Sequence, residues 1–104
     1  MKLLTKEILE RFKKNGYQGD TKLEKQEIVV KFFNPCGAGT WYATEYDPDE
    51  KMFFGWVSIF GDHNDEAGEF SLAELEGLKL GFGLGIERDL HFGKGRLLGE
   101  VMKN

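Results

Sequence analysis

Three carboxylates in the predicted strands have the residue types and spacing that acid–base chemistry requires. Glu87 and Asp89 are two positions apart, so both side chains lie on the same side of an extended strand. Glu45 belongs to another predicted strand and would join them if the two strands were neighbours. Paired carboxylates can share a proton and act as general acid and base. The alternative, which we favour, is an ion pair between Glu45 and a cation such as Lys31 or Arg88.

Residues 62–66 (DHNDE) place oxygen and nitrogen donors close together around His63. Such donors can bind a divalent cation. The spacing differs from that of a calcium-binding loop, because Ala67 stands where that loop needs glycine and Ala73 where it needs glutamate. We therefore favour a hydrophilic turn and predict neither a metal site nor a cofactor. A small metal-assisted hydrolase remains an alternative, and it would use Glu45, His63, Glu87 and Asp89.

The remaining reactive or glycine-rich segments match no catalytic motif. Cys36 lies in a Pro-Cys-Gly turn whose neighbours offer no base to activate the thiol. Residues 81–85 (GFGLG) alternate glycine without the dinucleotide-binding pattern. The sequence therefore predicts no catalytic residue and leaves open whether the protein is an enzyme.

The elements that must position these side chains begin with a helix over residues 6–14. Thr5 is a suitable N-cap, and Asn15-Gly16 ends the helix. Runs of β-branched and aromatic residues then predict strands at residues 27–33, 40–46 and 52–60. Because the connections between them are short, we expect an antiparallel meander.

The second half of the chain has weaker patterns. Residues 61–68 are predicted to form a loop, and Ser71 with Glu74 matches a capping box that begins a helix near residues 71–78. Residues 86–92 alternate in the manner of a fourth strand, and the last dozen residues fray or add a short element. The predicted fold class is α+β, in one small domain over residues 1–104: a three- to four-stranded antiparallel meander with an N-terminal helix and the short helix near 71–78.

Both faces of this sheet carry large apolar side chains. Strict alternation puts Tyr42 and Tyr46 on one face and Trp41 and Glu45 on the other. The helices can cover one face, whereas the other exposes aromatic rings unless loops, the C-terminus or a partner cover it. We predict a binding surface of aromatic side chains with nearby acidic side chains, made of Trp41, Tyr42, Glu45, Tyr46, Asp47, Phe54, Trp56, Glu87 and Asp89.

The charge distribution bears on the partner. The net charge is −4, and residues 45–76 carry ten acidic residues against one lysine. This segment favours a protein partner with a basic surface and disfavours nucleic acid, although solvated carboxylates on loops and helix faces are the simpler explanation. A weak single-stranded nucleic-acid binder is a further alternative, and it would use the N-terminal cations Lys2, Lys6, Arg11, Lys13 and Lys14.

No apolar stretch approaches the roughly 20 residues that a membrane helix needs, so no membrane association is predicted. The charged residues of the first dozen positions interrupt any signal-peptide core, which predicts a cytoplasmic protein.

Three stretches together resemble a known family. They are residues 31–35 (KFFNP) followed by 40–48 (TWYATEYDP), residues 53–55 (FFG) with 68–75 (GEFSLAEL), and residues 85–92 (GIERDLHF). Their order and spacing over about residues 3–92 resemble an uncharacterised domain-of-unknown-function family of small proteins carried by plasmids, phages and other mobile elements. The resemblance implies an accessory protein of mobile DNA that acts on host defence or DNA maintenance machinery. It implies no catalytic residue, and we identify no family pattern after Phe92.

Overall fold

The computed structural model describes residues 2–61 and 64–102. In these residues a five-stranded antiparallel sheet packs with two α-helices, in the strand order β4-β3-β2-β1-β5. The elements in chain order are α1 (Lys6–Asn15), β1 (Val30–Phe33), β2 (Thr40–Asp47), β3 (Met52–Ser58), β4 (Glu66–Ser71), α2 (Leu72–Gly77) and β5 (Glu87–Arg88). Short 3-10 turns occupy Leu23–Lys25, Gly81–Gly83 and Leu98–Glu100. None of the described helices has the length and apolar character needed to span a membrane.

The α+β class is confirmed, whereas the predicted count of three to four strands is too low. Residues 66–68, which were predicted to belong to a loop, form the start of β4. This edge strand contains two glutamates and a glycine. The predicted strand at 86–92 shortens to β5, which pairs with β1 at the opposite edge. Edge strands have one neighbour and one exposed side, so local residue preference identifies them poorly.

Helix α1 is confirmed with both of its predicted ends. The Thr5 hydroxyl accepts a hydrogen bond from the Ile8 backbone N–H at 3.2 Å. Gly16 follows at φ +62°, a left-handed conformation that glycine adopts without steric cost. Ile8 and Phe12 are buried, and they pack the helix against one face of the sheet.

That face holds the main core. Phe53 lies at its centre, with ring centroids 5.2 Å from Phe32 and 5.3 Å from Phe70. Leu75 of α2 packs into the same cluster, following a Ser71 N-cap whose hydroxyl accepts from the Glu74 backbone N–H at 2.9 Å.

A β-bulge in β2 changes which face each aromatic side chain joins. The register against β3 shifts between Ala43 and Glu45, so one extra residue is inserted. Tyr42 stays opposite Trp56, but Tyr46 moves to the helix-covered face, 4.7 Å from the ring of Phe53. Our prediction that Tyr42 and Tyr46 share a face was wrong, because strict alternation holds only where no bulge intervenes.

The buried side chain of Gln18 holds this bulge. Its amide donates to the carbonyl oxygens of Thr44 at 2.8 Å and Glu27 at 3.1 Å, and its own oxygen accepts from the Glu27 N–H at 2.8 Å. The buried Thr44 hydroxyl lies 3.2 Å from both the Gln26 side-chain oxygen and the Phe54 carbonyl oxygen. The bonds to the Thr44 and Phe54 carbonyls satisfy buried backbone groups at the bulge, and the bonds to Glu27 join Gln18 to the segment before β1.

The C-terminal segment, residues 90–102, covers part of the other face. The Ile28 N–H donates to the Arg96 carbonyl at 2.8 Å, and the Leu98 N–H donates to the Gln26 carbonyl at 3.0 Å. Leu98 is fully buried beside Ile28 and Trp56. The sequence left open whether loops, the C-terminus or a partner cover this face. The C-terminal segment covers Trp56, which is 6% exposed, and leaves Tyr42 half-buried.

Candidate binding site

A groove of about 850 Å³ lies between the C-terminal half of α1 and the end of the β2–β3 hairpin. We call it the acidic aromatic groove. Its rings come from Phe12, Tyr17, Tyr46, Phe53 and Phe54. Its carboxylates come from Glu45, Asp47, Glu50 and Glu69, against the single cation Lys13.

The end of α1 and the hairpin turn position the rim. Because the helix stops at Gly16, the next side chain, Tyr17, projects into solvent and is 76% exposed. The Asp47 carboxylate accepts hydrogen bonds from the backbone N–H groups of Asp49 at 2.9 Å and Glu50 at 3.3 Å. This Asx turn holds the acidic residues of the hairpin at the edge of the groove.

On the face of the sheet opposite α1, Glu45 and Glu69 lie on either side of Phe54. Glu45 pairs with Phe54 across β2 and β3, and Glu69 pairs with Phe54 across β3 and β4. Directly opposite residues on neighbouring strands point to the same side. Two carboxylates therefore flank the Phe54 ring.

The electrostatics of the groove are dominated by negative charge. Burial raises the pKa of Tyr46 above its ordinary value, and the nearby carboxylates Glu76 and Asp47 raise the pKa further. The phenol thus stays neutral at physiological pH. Within the described parts of the chain, none of the four groove carboxylates forms an ion pair with lysine or arginine. These carboxylates are available to an incoming cation.

The structure brings together four of the predicted binding residues, namely Glu45, Tyr46, Asp47 and Phe54. The others lie elsewhere. Trp41 packs at the margin of the main core, and Tyr42 and Trp56 lie beneath the C-terminal segment. Glu87 and Asp89 lie at the β5 edge of the sheet.

The acidic residues of the hydrolase alternative are not brought together where they are described. β5 pairs with β1, so Glu87 is two strands away from β2, and it lies level with Thr40 rather than Glu45. Strand spacing then separates Glu45 from Glu87 by roughly 10 Å across the sheet and about 16 Å along it. His63 lies outside the described residues. Within residues 2–61 and 64–102, no three His, Cys, Asp or Glu side chains are grouped to hold a metal ion.

Asp89 instead has a structural partner. Its carboxylate lies 3.3 Å from the Lys31 ammonium and accepts the His91 backbone N–H at 2.9 Å. Burial alone would raise the pKa of Asp89, but these two hydrogen bonds outweigh burial and lower it. The ion pair that we favoured for Glu45 is therefore not formed, because Lys31 pairs with Asp89 and Arg88 donates to the Lys2 carbonyl oxygen.

Sequence analysis missed several groove residues, Phe12, Lys13, Tyr17, Glu50 and Glu69. Glu69 was placed beside a predicted loop, and its position on β4 depends on pairing with β3. Tyr17 carried a usable signal, since a large aromatic residue directly after a helix cap and within a polar loop has no obvious place in a core.

Comparison with known proteins gives one family. The family described as "Protein of unknown function (DUF2958)" matches residues 3–103. No curated protein and no solved structure matches the chain. The match continues through the C-terminal segment, beyond the limit near residue 92 that the sequence resemblance indicated. Since nearly the whole chain is matched, the protein belongs to the DUF2958 family of proteins of unknown function.

Proposed function

We propose that the protein is a non-catalytic binding protein whose acidic aromatic groove receives a basic segment of a partner protein. The observation that supports this proposal is that four carboxylates and one lysine line one groove together with aromatic side chains from both faces of the hairpin end. Tyrosine and other large rings are common anchors of protein interfaces. A complementary charge on the partner speeds association and excludes wrong partners.

Arginine suits this groove better than lysine. Its planar guanidinium can stack on an aromatic ring and donate two parallel hydrogen bonds to a carboxylate. Phe54 offers a ring flanked by Glu45 and Glu69, and Tyr17 offers an exposed ring at the rim. Each stacked cation contributes about 0.5–1 kcal/mol at an exposed site, so several contacts are needed for useful affinity.

The groove does not suit nucleic acid, because its carboxylates repel phosphate. The cations of the weak nucleic-acid alternative are divided by α1, since Lys13 lines this groove while Lys6 and Arg11 lie on the other flank of the helix. A role as an accessory protein of mobile elements, acting on host defence or DNA maintenance machinery, is part of the proposal. It is supported by the sequence resemblance alone.

Site-specific photocrosslinking in cells tests the proposal. A photoreactive phenylalanine analogue replaces Tyr17 in the groove, and a matched control replaces Phe60, which is 74% exposed and outside the groove. Mass spectrometry then identifies the crosslinked peptide of the partner. We expect a peptide rich in lysine and arginine from position 17 and no such peptide from position 60.

The double variant Glu45→Gln/Glu69→Gln separates groove binding from general attraction between charges. It should reduce the yield at position 17 severalfold, whereas Glu10→Gln/Glu24→Gln removes the same charge from exposed positions outside the groove and should leave it unchanged. Equal crosslinking at positions 17 and 60, an acidic or neutral crosslinked peptide, or equal losses in the two double variants would contradict the proposal.

A further inference from the structure

A second cleft, of about 470 Å³, lies on the opposite flank of α1 from the acidic aromatic groove. We call it the basic cleft. It runs between the N-terminal half of α1 and the segment that follows β5. Its cations are Lys6, Arg11, Arg88 and Lys94, and its carboxylates are Glu7 and Asp89.

We propose that the basic cleft binds a phosphate group, either as free phosphate or as the phosphate of a small organic ester. This proposal is independent of the acidic aromatic groove, because the two sites share no lining residue. The charge of the lining and the state of its hydrogen-bond donors support it.

The two carboxylates of the cleft already have cationic partners. Asp89 is held by Lys31, which comes from outside the cleft lining, at 3.3 Å. Glu7 lies 3.8 Å from Lys94, with both side chains about three-quarters exposed, so an anion can compete for this lysine. Lys6 and Arg11 form no ion pair with any described residue. The cleft therefore retains positive charge after its internal pairs are formed.

Arg11 supplies a donor that lacks an acceptor. Its Nη2 is buried and forms no hydrogen bond with any residue that the structure describes. Buried guanidinium nitrogens are nearly always hydrogen-bonded. Arg11 lines the cleft, so a rotation of its side chain would bring this donor to a phosphate oxygen, an acceptor that a planar guanidinium fits well. Across the cleft, the Arg88 guanidinium donates to the Lys2 carbonyl oxygen, which holds its positive charge at the wall.

Phosphate fits the cleft better than a single carboxylate does. It carries more charge and has several terminal oxygens, which can accept from Arg11 and Lys6 together. Apolar side chains of Leu90 and Phe92 line the same cleft, next to its cations. They provide a surface for the organic part of a phosphate ester.

NMR titration of the full chain with inorganic phosphate, and separately with adenosine monophosphate, tests the inference in a buffer without other phosphate. We expect saturable shifts of backbone amides in residues 5–11 and 88–94. Tighter binding of the nucleotide would assign the ligand as a phosphate ester, and equal binding would assign it as phosphate alone. Absence of saturable shifts with both compounds below about 10 mM, or shifts confined to other regions, would overturn the proposal.

Variants of the cleft residues should change the affinity for phosphate in opposite directions. Lys6→Gln and Arg11→Gln should each weaken binding, by about tenfold for the loss of a charge-assisted hydrogen bond, and Glu7→Gln should strengthen it. The control Lys14→Gln removes an exposed charge of α1 outside both sites and should change affinity by less than about twofold. Lys6 is exposed, so its variant stays informative if Arg11→Gln unfolds the chain. Equal weakening by Lys6→Gln and Lys14→Gln would show non-specific attraction and contradict the site.

Discussion

At the scale of single residues, Asp89 shows how a predicted functional carboxylate serves the fold. It links β5 to β1 through Lys31, and it caps the turn that follows through the His91 N–H. Both charged side chains are less than a third exposed, so water screens their attraction only in part. The lowered pKa of Asp89 is the signature of this stabilised charge.

This lowered pKa predicts a pH-dependent contribution to stability. A carboxylate whose folded pKa is depressed stabilises the fold above its unfolded value, here 3.8, and the contribution is lost as the pH falls through the folded pKa. We expect Asp89→Asn to lower the free energy of unfolding near neutral pH and to match the wild type at the acid end. Urea unfolding at a series of pH values measures this difference.

Asp49→Asn is the control for this prediction, because Asp49 is exposed and forms no ion pair with any described residue. It should leave the free energy of unfolding nearly unchanged at every pH. If Asp89→Asn lowered the free energy of unfolding by the same amount down to the lowest pH, its effect would come from packing rather than from charge.

At the scale of elements, the contact between β2 and β3 depends on the absence of a side chain at Gly55. A Cβ built there would lie 1.8 Å from the Tyr42 carbonyl oxygen, a distance that no rotation of a side chain can relieve. Gly68 lies on the neighbouring strand β4, directly opposite Gly55. A Cβ built at Gly68 would meet nothing within 4 Å. Two glycines in one row of the sheet thus have different reasons to be present.

The pair Gly55→Ala and Gly68→Ala tests this difference. Gly55→Ala should lower the free energy of unfolding by about 3 kcal/mol or more, because the two strands must separate near the bulge. Gly68→Ala should be neutral or slightly stabilising, since alanine reduces the freedom of the unfolded chain. Chemical denaturation of both variants measures the contrast, and similar losses in the two would refute the steric explanation.

At the scale of the whole molecule, the C-terminal segment closes the second face of the sheet. Leu98 lies between Ile28, which precedes β1, and Trp56 on β3, and it is fully buried. Arg96 supports the same layer, with its guanidinium 4.8 Å from the centre of the Phe92 ring. Residues close to the end of the described chain therefore contribute to the core.

We expect Leu98→Ala to destabilise the protein by about 2–5 kcal/mol, the range for removing a buried leucine side chain. Looser packing should also admit water to Trp56 and shift its fluorescence to longer wavelength. Leu84→Ala is the control, because Leu84 is 42% exposed and should cost little. Equal stability of the two variants would show that the segment is not part of the core.

Much of the fold was predictable wherever hydrogen bonds and side-chain preferences act within a few residues. Helix α1, its Thr5 cap and its Gly16 stop were predicted from adjacent positions, and so were the two turns that join β1, β2 and β3. Those interactions are local, so the chain segment that contains them determines them.

The candidate site depended on contacts between distant segments. Gln18 stabilises the bulge that places Tyr46 on one face of the sheet and Glu45 on the other. No local pattern in the sequence of β2 predicts this bulge. The pairing of β4 with β3 decided where Glu69 lies, and the pairing of β5 with β1 separated Glu87 from Glu45. The sequence by itself determined the helix, the hairpins and the excess of acidic residues. Only the tertiary structure decided which of those acids face the same groove, because strand order and register are set by packing between residues far apart in the chain.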